Sequence, residues 1–379
     1  MRRGARRFGR KLTIQARTLT IAPTCGKQVG DVKKSPSRTQ EIEAFVIAQV
    51  VAHPEDIARV TSEHFGISRQ AVNRHLVRLV EEGKLTAAGA TRQRKYAPAL
   101  LVDQVLVLPV SPSLQEDRVW EESVAPLLKG VAGNIEEICA YGFTEMLNNV
   151  IDHSGSTTVS IAIQRSPVNV FMSILDKGVG IFRKIATDLQ LGDERHAILE
   201  LCKGKLTTAP ARHSGEGIFF TSRVFDGFSI RSGPVVLVCQ EATSWLVHDR
   251  DFPTDMPRVE GTFVSMNIDP RSPRRLVEVF DRFSDKEEDY GFTRTHVPVA
   301  LARHGTENLI SRSQAKRLVA RFDRFKDVLL DFATVPMIGQ AFADEVFRVF
   351  QNAHPDIKLT WINAAPEVEQ MIRRALAHR

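Results

Sequence analysis

Four short stretches hold residues whose types and spacing suit cation, proton and phosphate chemistry. In TEMLNNVIDHS, Glu145 and Asn149 are four residues apart. At about 100° per residue they stack on neighbouring helical turns. Asn148, Asp152 and His153 share their face, and Ala140, Phe143, Met146, Leu147, Val150 and Ile151 form the opposite, apolar one. An amide oxygen in such a place can hold a hard cation, and a carboxylate one turn away can accept a proton. A helix with a solvated polar face accounts for the same residues. VFMSILDKGVGIF brings a strand to its end at Asp176, followed by Gly178 and Gly180. A strand-end carboxylate can accept the exocyclic amine of a purine, and glycines beside it let a flat ring lie on backbone. HSGEGIFFTSRVF places Gly215 and Gly217 just before a helix, where N–H groups face phosphate. GTFVSMNI puts Gly261 and Thr262 at the head of a strand. Each glycine pair alone is explained by a turn; the ordered set is more specific.

Periodicity supplies the elements around these residues. A long helix is expected from about 134 to 152, then two strands, TTVSIAIQ and VNVFMSILD, joined at Ser166-Pro167. Residues 182–214 read as loop-rich with some helix around HAILELC, and GIFFTSRVFDG as a short helix. GFSIRS, VVLVCQ, SWLVHD and GTFVSMNI are strands at hairpin spacing. VDQVLVLPV reads as a strand or docking segment, and a polar, proline-containing break is expected from Asp269 to Tyr290.

The order E-x-x-x-N helix, strand–D-x-G-x-G, long loop, G-x-G–helix and strand G-T resembles the GHKL family. That family includes gyrase-type ATPases, histidine kinases and the anti-sigma-factor serine kinases. The resemblance covers about residues 100–270. It implies a two-layer α/β sandwich with a Bergerat-type ATP site and Mg²⁺. On its motifs Glu145 matches the general base, Asn149 the magnesium ligand and Asp176 the adenine-binding aspartate. Gly178 and Gly180 match the first glycine box, Gly215 and Gly217 the phosphate-facing second box, and Thr262 the threonine that helps hold adenine. Asp152, on the same polar helix face, joins the nucleotide-binding set. Residues 183–212 would be the lid, in which Lys203 and Lys205 either reach phosphate or are solvated. The second box is short, with two glycines in HSGEG, and no helix with a phosphoacceptor histidine precedes the domain. An ordinary sensor histidine kinase is therefore not expected.

Both flanks have their own character. Residues 1–38, rich in Arg, Lys, Ser and Thr without an apolar period, read as a disordered basic arm, with nucleic-acid contact and plain solvation both open. Residues 39–98 hold three short helical patterns and a basic, turn-rich hairpin, which resembles a winged helix-turn-helix. In GISRQAVNRHLVRL, Val72, Leu76, Leu79 and Val80 face inward, while Arg69, Gln70, Asn73, Arg74 and Arg78 face outward. Arg, Gln and Asn carry donors for base edges and phosphates, and Arg92, Arg94 and Lys95 would place a wing on the backbone. A winged helix that docks protein instead fits the same pattern. After the break at 271–290, residues 291–379 alternate strand and helix. SRSQAKRL, LLDFATVPMIGQAFADEVFRVF and the WIN strand resemble a STAS-like domain of unknown function. The phosphorylatable serine of related proteins has no counterpart in PMIGQAFADE; Asp331, Asp344 and Glu345 suggest a site there, or a strand-end Asp and a solvated helix face.

Composition sets the frame. The 379 residues suit two or three domains, and 43% hydrophobic with 25% charged residues is ordinary for globular protein. No apolar run approaches the roughly 18 to 20 residues of a membrane span, and the start lacks a secretory pattern, so no membrane partner and a cytoplasmic location are expected. The four cysteines form no CxxC pair, which argues against a zinc ribbon or redox dithiol. The net charge of +6 is modest and concentrated in the first hundred residues. The expectation is a multidomain α+β regulator that binds Mg-ATP, duplex DNA and, through its C-terminal domain, a protein partner. A Ser/Thr protein kinase of the anti-sigma type, or a slow ATPase that clamps by homodimerising, stands beside it.

Overall fold

A computed structural model describes residues 37–90, 93–206, 215–240, 244–247, 259–284, 291–303 and 308–377. It is a mixed α/β multidomain architecture. The chain divides into two compact units, the first reaching Leu101 and including Ser166–Val168, the second holding Val102–Arg165 and the chain from Asn169 on.

The first unit contains α1 (Arg38–Gln49), α2 (Ile57–Phe65), α3 (Arg69–Glu81) and the antiparallel pair β1 (Leu85–Ala88) and β2 (Lys95–Pro98). Local chemistry sets its boundaries. Ser37 and Gln40 make a reciprocal capping box on α1, and Ser68 Oγ accepts from Ala71 N at 3.2 Å to start α3. Gly66 closes α2 in the left-handed conformation (φ 62°). Val46, Ile57, Val72, Leu76, Leu79 and Tyr96 meet in one core.

The second unit holds two sheets. The larger has seven strands in the order β3-β4-β5-β9-β6-β7-β8, every neighbouring pair antiparallel. They are β3 (Val102–Pro109), β4 (Thr158–Arg165), β5 (Val170–Asp176), β6 (Gly227–Gly233), β7 (Val235–Gln240), β8 (Ser244–Val247) and β9 (Val259–Ile268). Register aligns Ile161 with Ile174, Ile174 with Val264 and Val264 with Ile230, so one sheet face is a continuous apolar row. α4 (Glu116–Val119), α5 (Gly133–Asn149), α6 (Ile181–Asp188), α7 (Glu194–Lys203) and α8 (Gly217–Val224) share a core with that row. α5 continues into a wider π turn, Val150–Ser154.

The smaller sheet is parallel, β10-β11-β12: β10 (Arg294–Pro298), β11 (Asp327–Asp331) and β12 (Lys358–Ile362). α10 (Arg312–Val319) links the first pair of strands, and α11 (Gln340–Asp344) runs through a π stretch, Glu345–Phe350, into α12 (Gln351–Ala353). α13 (Pro366–Ala377) closes the domain. Parallel strands need such crossovers.

Two expectations need correction. The polar break from Asp269 to Tyr290 contains a helix, α9 (Leu276–Phe283). Leu276, Val279, Phe280 and Phe283 recur at helical spacing, and Phe280 and Phe283 pack edge-on against Phe220. The stretch after Phe182 holds, among the described residues, α6 as well as the helix expected around HAILELC, which is α7; residues 207–214 lie outside the described ones. Among the described residues no helix is long and apolar enough to cross a membrane.

Candidate functional site

α5 buries Phe143, Met146 and Leu147 against the sheet, which leaves Glu145 and Asn149 on its other side. Asn149 Nδ2 donates to the Glu145 carbonyl at 2.9 Å, which holds the amide in place. Glu145 in turn lies against the first residue of α8. A Cβ added to Gly217 would sit 1.9 Å from Glu145 Oε2, so the carboxylate keeps this position only against a glycine. This places the Glu145 carboxylate at the N-terminus of α8, where backbone N–H groups and the helix dipole favour negative charge. Burial, with the charges of Glu145 and Glu216 adding to it, pushes the nearby Tyr141 hydroxyl far above its usual pKa.

Asp176 ends β5 and is 2% exposed. Its carboxylate accepts from Gly178 N at 2.8 Å and from the Thr262 N–H and hydroxyl. Burial raises its pKa above the usual aspartate range despite these donors, none of which is a cation. Thr262 Oγ1 also accepts from Ile181 N at 3.1 Å, tying β9 to the start of α6. The D-x-G-x-G turn is stitched to the end of α5. Val179 N donates to Ser154 O at 2.8 Å, and Lys177 N to Ser156 Oγ at 3.1 Å. A side chain at Gly178 would strike Ser154 O, its Cβ falling 1.9 Å away.

Glu145, Asn149, Asp176, Gly180, Gly215, Gly217 and Thr262 all line one cavity of about 260 Å³. Gly178 sits behind its wall, on Asp176 and Ser154. Asp152 is exposed and does not line it. Met146, Ile174, Ile181 and Val264 give an apolar interior into which a few polar groups point. Sequence reasoning missed the stitching by Ser154 and Ser156 and the cavity-lining Lys184. The Ser-Gly-Ser after a polar-faced helix was the available signal, since Gly155 takes φ 65° and the serines bond locally.

Neither Lys203 nor Lys205 lines the cavity. Lys203 is fully buried, and its Nζ donates to Glu200 at 2.6 Å and to the carbonyls of Arg317 and Ala320, each at 2.9 Å. Burial lowers its pKa to about 8, with Glu200 opposing. Lys205 Nζ donates to Arg324 O at 2.8 Å. Desolvation outweighs the Glu200 charge even though three acceptors satisfy the three protons of the ammonium.

In the first unit, Arg69, Gln70, Asn73 and Arg74 are exposed on α3. Arg94 is exposed with its guanidinium 5.4 Å from the Tyr96 ring centre. Arg92 lies outside the described residues. Arg78 is engaged by Glu82 and Glu43.

In the parallel sheet, Asp331 ends β11 and is buried. Asn363 Nδ2 and Ala333 N donate to its Oδ1 at 2.9 Å each, and His296 Nε2 lies 3.2 Å from its Oδ2. Burial raises its pKa, but these partners outweigh burial and the net shift is downward. Asp344 pairs with Arg348 on its own helix.

Residues 314–369 match the family model of a STAS-like domain of unknown function (DUF4325). The match runs from α10 into α13, the region for which the sequence suggested that resemblance. No curated protein matches the chain.

Proposed function

We propose that the chain is a Mg-ATP-binding, DNA-binding regulator in which the nucleotide state of a GHKL-type domain controls the flanking winged-helix and STAS-like domains. One observation carries the nucleotide reading. Asp176, a buried carboxylate held only by N–H and O–H donors, stands in the same glycine-lined apolar cavity as Glu145 and Asn149 at the N-terminus of α8. In this reading Asp176 accepts the adenine amine, Thr262 supports it, and Gly215 and Gly217 present backbone to phosphate.

Among the described residues no three His, Cys, Asp or Glu side chains converge into a metal cage. Mg²⁺ in a nucleotide site needs no such cage, since it takes one or two protein oxygens and completes its shell with phosphates and water. Asn149 would supply the protein oxygen, and the ion would neutralise phosphate charge. The exposed Arg69, Arg74 and Arg94 support duplex DNA as the partner of the first unit.

Calorimetry of the full chain with a non-hydrolysable Mg-ATP analogue tests the reading: saturable binding is expected, and absence of binding by folded protein refutes it. Glu145, set against the α8 N-terminus in the same cavity, also suits proton acceptance from a hydroxyl or water. Incubation with γ-labelled ATP separates the outcomes. Label on a protein means a Ser/Thr kinase, free phosphate alone means a slow ATPase, and neither means a sensor.

A further inference from the structure

The segment that leaves α7 is held by the parallel-sheet domain one peptide group after another. The Lys203 carbonyl accepts from Thr295 Oγ1 at 2.7 Å, and the Gly204 carbonyl from Arg321 Nη2 at 2.9 Å. The Lys205 carbonyl accepts from Arg321 Nη2 at 2.6 Å and from Arg324 Nη1 at 3.0 Å. The other arm of Arg321 donates to Glu200 Oε2 at 2.7 Å. Glu200 is thereby shared between Arg321 and the buried Lys203, whose ammonium caps the last carbonyls of α10.

Both sides of this clamp are held in a backbone conformation that non-glycine residues seldom adopt, Lys205 at φ 50° and Arg321 at φ 65°. Such conformations persist where surrounding contacts over-determine them. The next residue, Leu206, lines the cavity, and its N–H donates at 3.1 Å to Gly215 O, two residues before α8. Leu201, on α7 beside Glu200, lines the cavity as well.

We propose that Arg321 is a positioning residue for the cavity: from the STAS-like domain it holds Gly204 and Lys205 so that Leu206 completes the cavity wall and Gly215 presents the turn into α8. The nucleotide role of the cavity is the reading given above, and the proposal adds its coupling to the C-terminal domain. Arg321 touches no ligand in this scheme and acts through Gly204–Leu206. Coupling of this kind is reciprocal, so whatever loosens the Arg321 fork weakens the cavity ligand by the same factor that the ligand stabilises the fork.

Lysine keeps a charge for Glu200 but lacks the planar fork that reaches two carbonyls. Arg321→Lys is therefore the informative variant of the full chain, with Arg321→Ala as the harsher one. Three readouts are needed: the thermal midpoint, amide exchange at 204–206 and 217–220 without nucleotide, and the dissociation constant of a Mg-ATP analogue. Arg321→Lys is expected to fold, to exchange about tenfold faster at those amides, and to bind the analogue about tenfold more weakly, within the usual range of couplings. In the wild type the analogue should also slow exchange at 317–324, and the variant should lose that protection. The proposal is overturned if folded Arg321→Lys stays within twofold of wild type in exchange at 204–206 and 217–220. It is equally overturned if wild type binds the analogue and the variant binds it within twofold as well. Faster exchange in the variant of a wild-type protein that binds no analogue would support the coupling and refute the nucleotide reading alone. If Arg321→Ala does not fold, Arg321→Lys decides.

Discussion

Two strand-end aspartates in the second unit have opposite surroundings. Asp176 and Asp331 are 2% and 5% exposed, and each accepts a hydrogen bond from a backbone N–H two residues on. Asp331 adds a histidine and an asparagine, and its carboxyl is more acidic than usual. Asp176 has only the Thr262 groups besides, remains less acidic than usual and borders a cavity. Desolvation is the largest influence on both and is the heavier for Asp176; the partners of Asp331 overcome it and those of Asp176 do not. Each carboxylate has three donors, but those of Asp331 include a histidine and an asparagine from other parts of the sheet, which lock a fold; Asp176, with no ionisable partner and beside a cavity, is placed to take a further donor from a ligand.

The largest expected effect falls on the lock. Asp331→Ala strands donors from His296, Asn363 and Ala333, at about 1–3 kcal/mol for each buried group. A loss of about 3 kcal/mol or more should appear in the denaturant midpoint. Asp176→Asn should stay within about 1 kcal/mol of wild type, because it also removes a buried charge, yet lose roughly 10- to 150-fold in ATP affinity, the worth of a hydrogen bond to a charged group. If Asp176→Asn were the less stable of the two, the contrast would fail.

Turnover comes next. Asn149→Ala should weaken Mg-ATP binding and abolish any turnover, while Glu145→Ala should leave binding nearly intact and slow turnover by about 10²- to 10⁴-fold. Equal loss of binding in both would show that the roles along α5 are not divided.

Acid sharpens the comparison through opposite signs. The Asp176 pKa is raised, so the folded state takes up its proton first, and this group's titration adds stability as pH falls toward the unfolded value. The Asp331 pKa is lowered, so its stabilisation is present above the unfolded value and is lost as pH falls through the folded one. Analogue affinity should therefore begin to fall above the usual aspartate range, before the protein unfolds; affinity that stays flat until unfolding would remove Asp176 from the site.

The smallest effect concerns the first unit. Arg69→Ala, Arg74→Ala and Arg94→Ala should each lower the salt slope of duplex binding by about 0.9. Wild-type protein with no salt-dependent DNA binding would make that unit a docking module.

What was legible in the sequence follows the range of the interactions. Glu145, Asn149, Asp176 and the glycines stood out because each type is demanded locally, by helix spacing or by a missing Cβ, and all but Gly178 line one cavity. Asp152 lies on the same helical repeat, but the π turn at Val150–Ser154 carries it to the exposed side. The destinations of Lys203 and Lys205 were not legible, because their acceptors are carbonyls more than a hundred residues away. α9 was missed because a short helix with Glu278, Asp281 and Arg282 among its eight residues looks polar until its apolar side meets α8. The lock on Asp331 was equally hidden, since His296 comes from β10 and Asn363 from just past the end of β12.

The central claim, that the cavity selects adenine through Asp176, is tested most directly by titrating the full chain with Mg-ATP and Mg-GTP analogues under identical conditions. Adenine offers an amine where guanine offers a carbonyl oxygen, which a carboxylate repels. The account predicts saturable ATP binding with GTP at least tenfold weaker, a gap that narrows in Asp176→Asn. Equal affinity for the two nucleotides, or a gap that Asp176→Asn leaves unchanged, would contradict it.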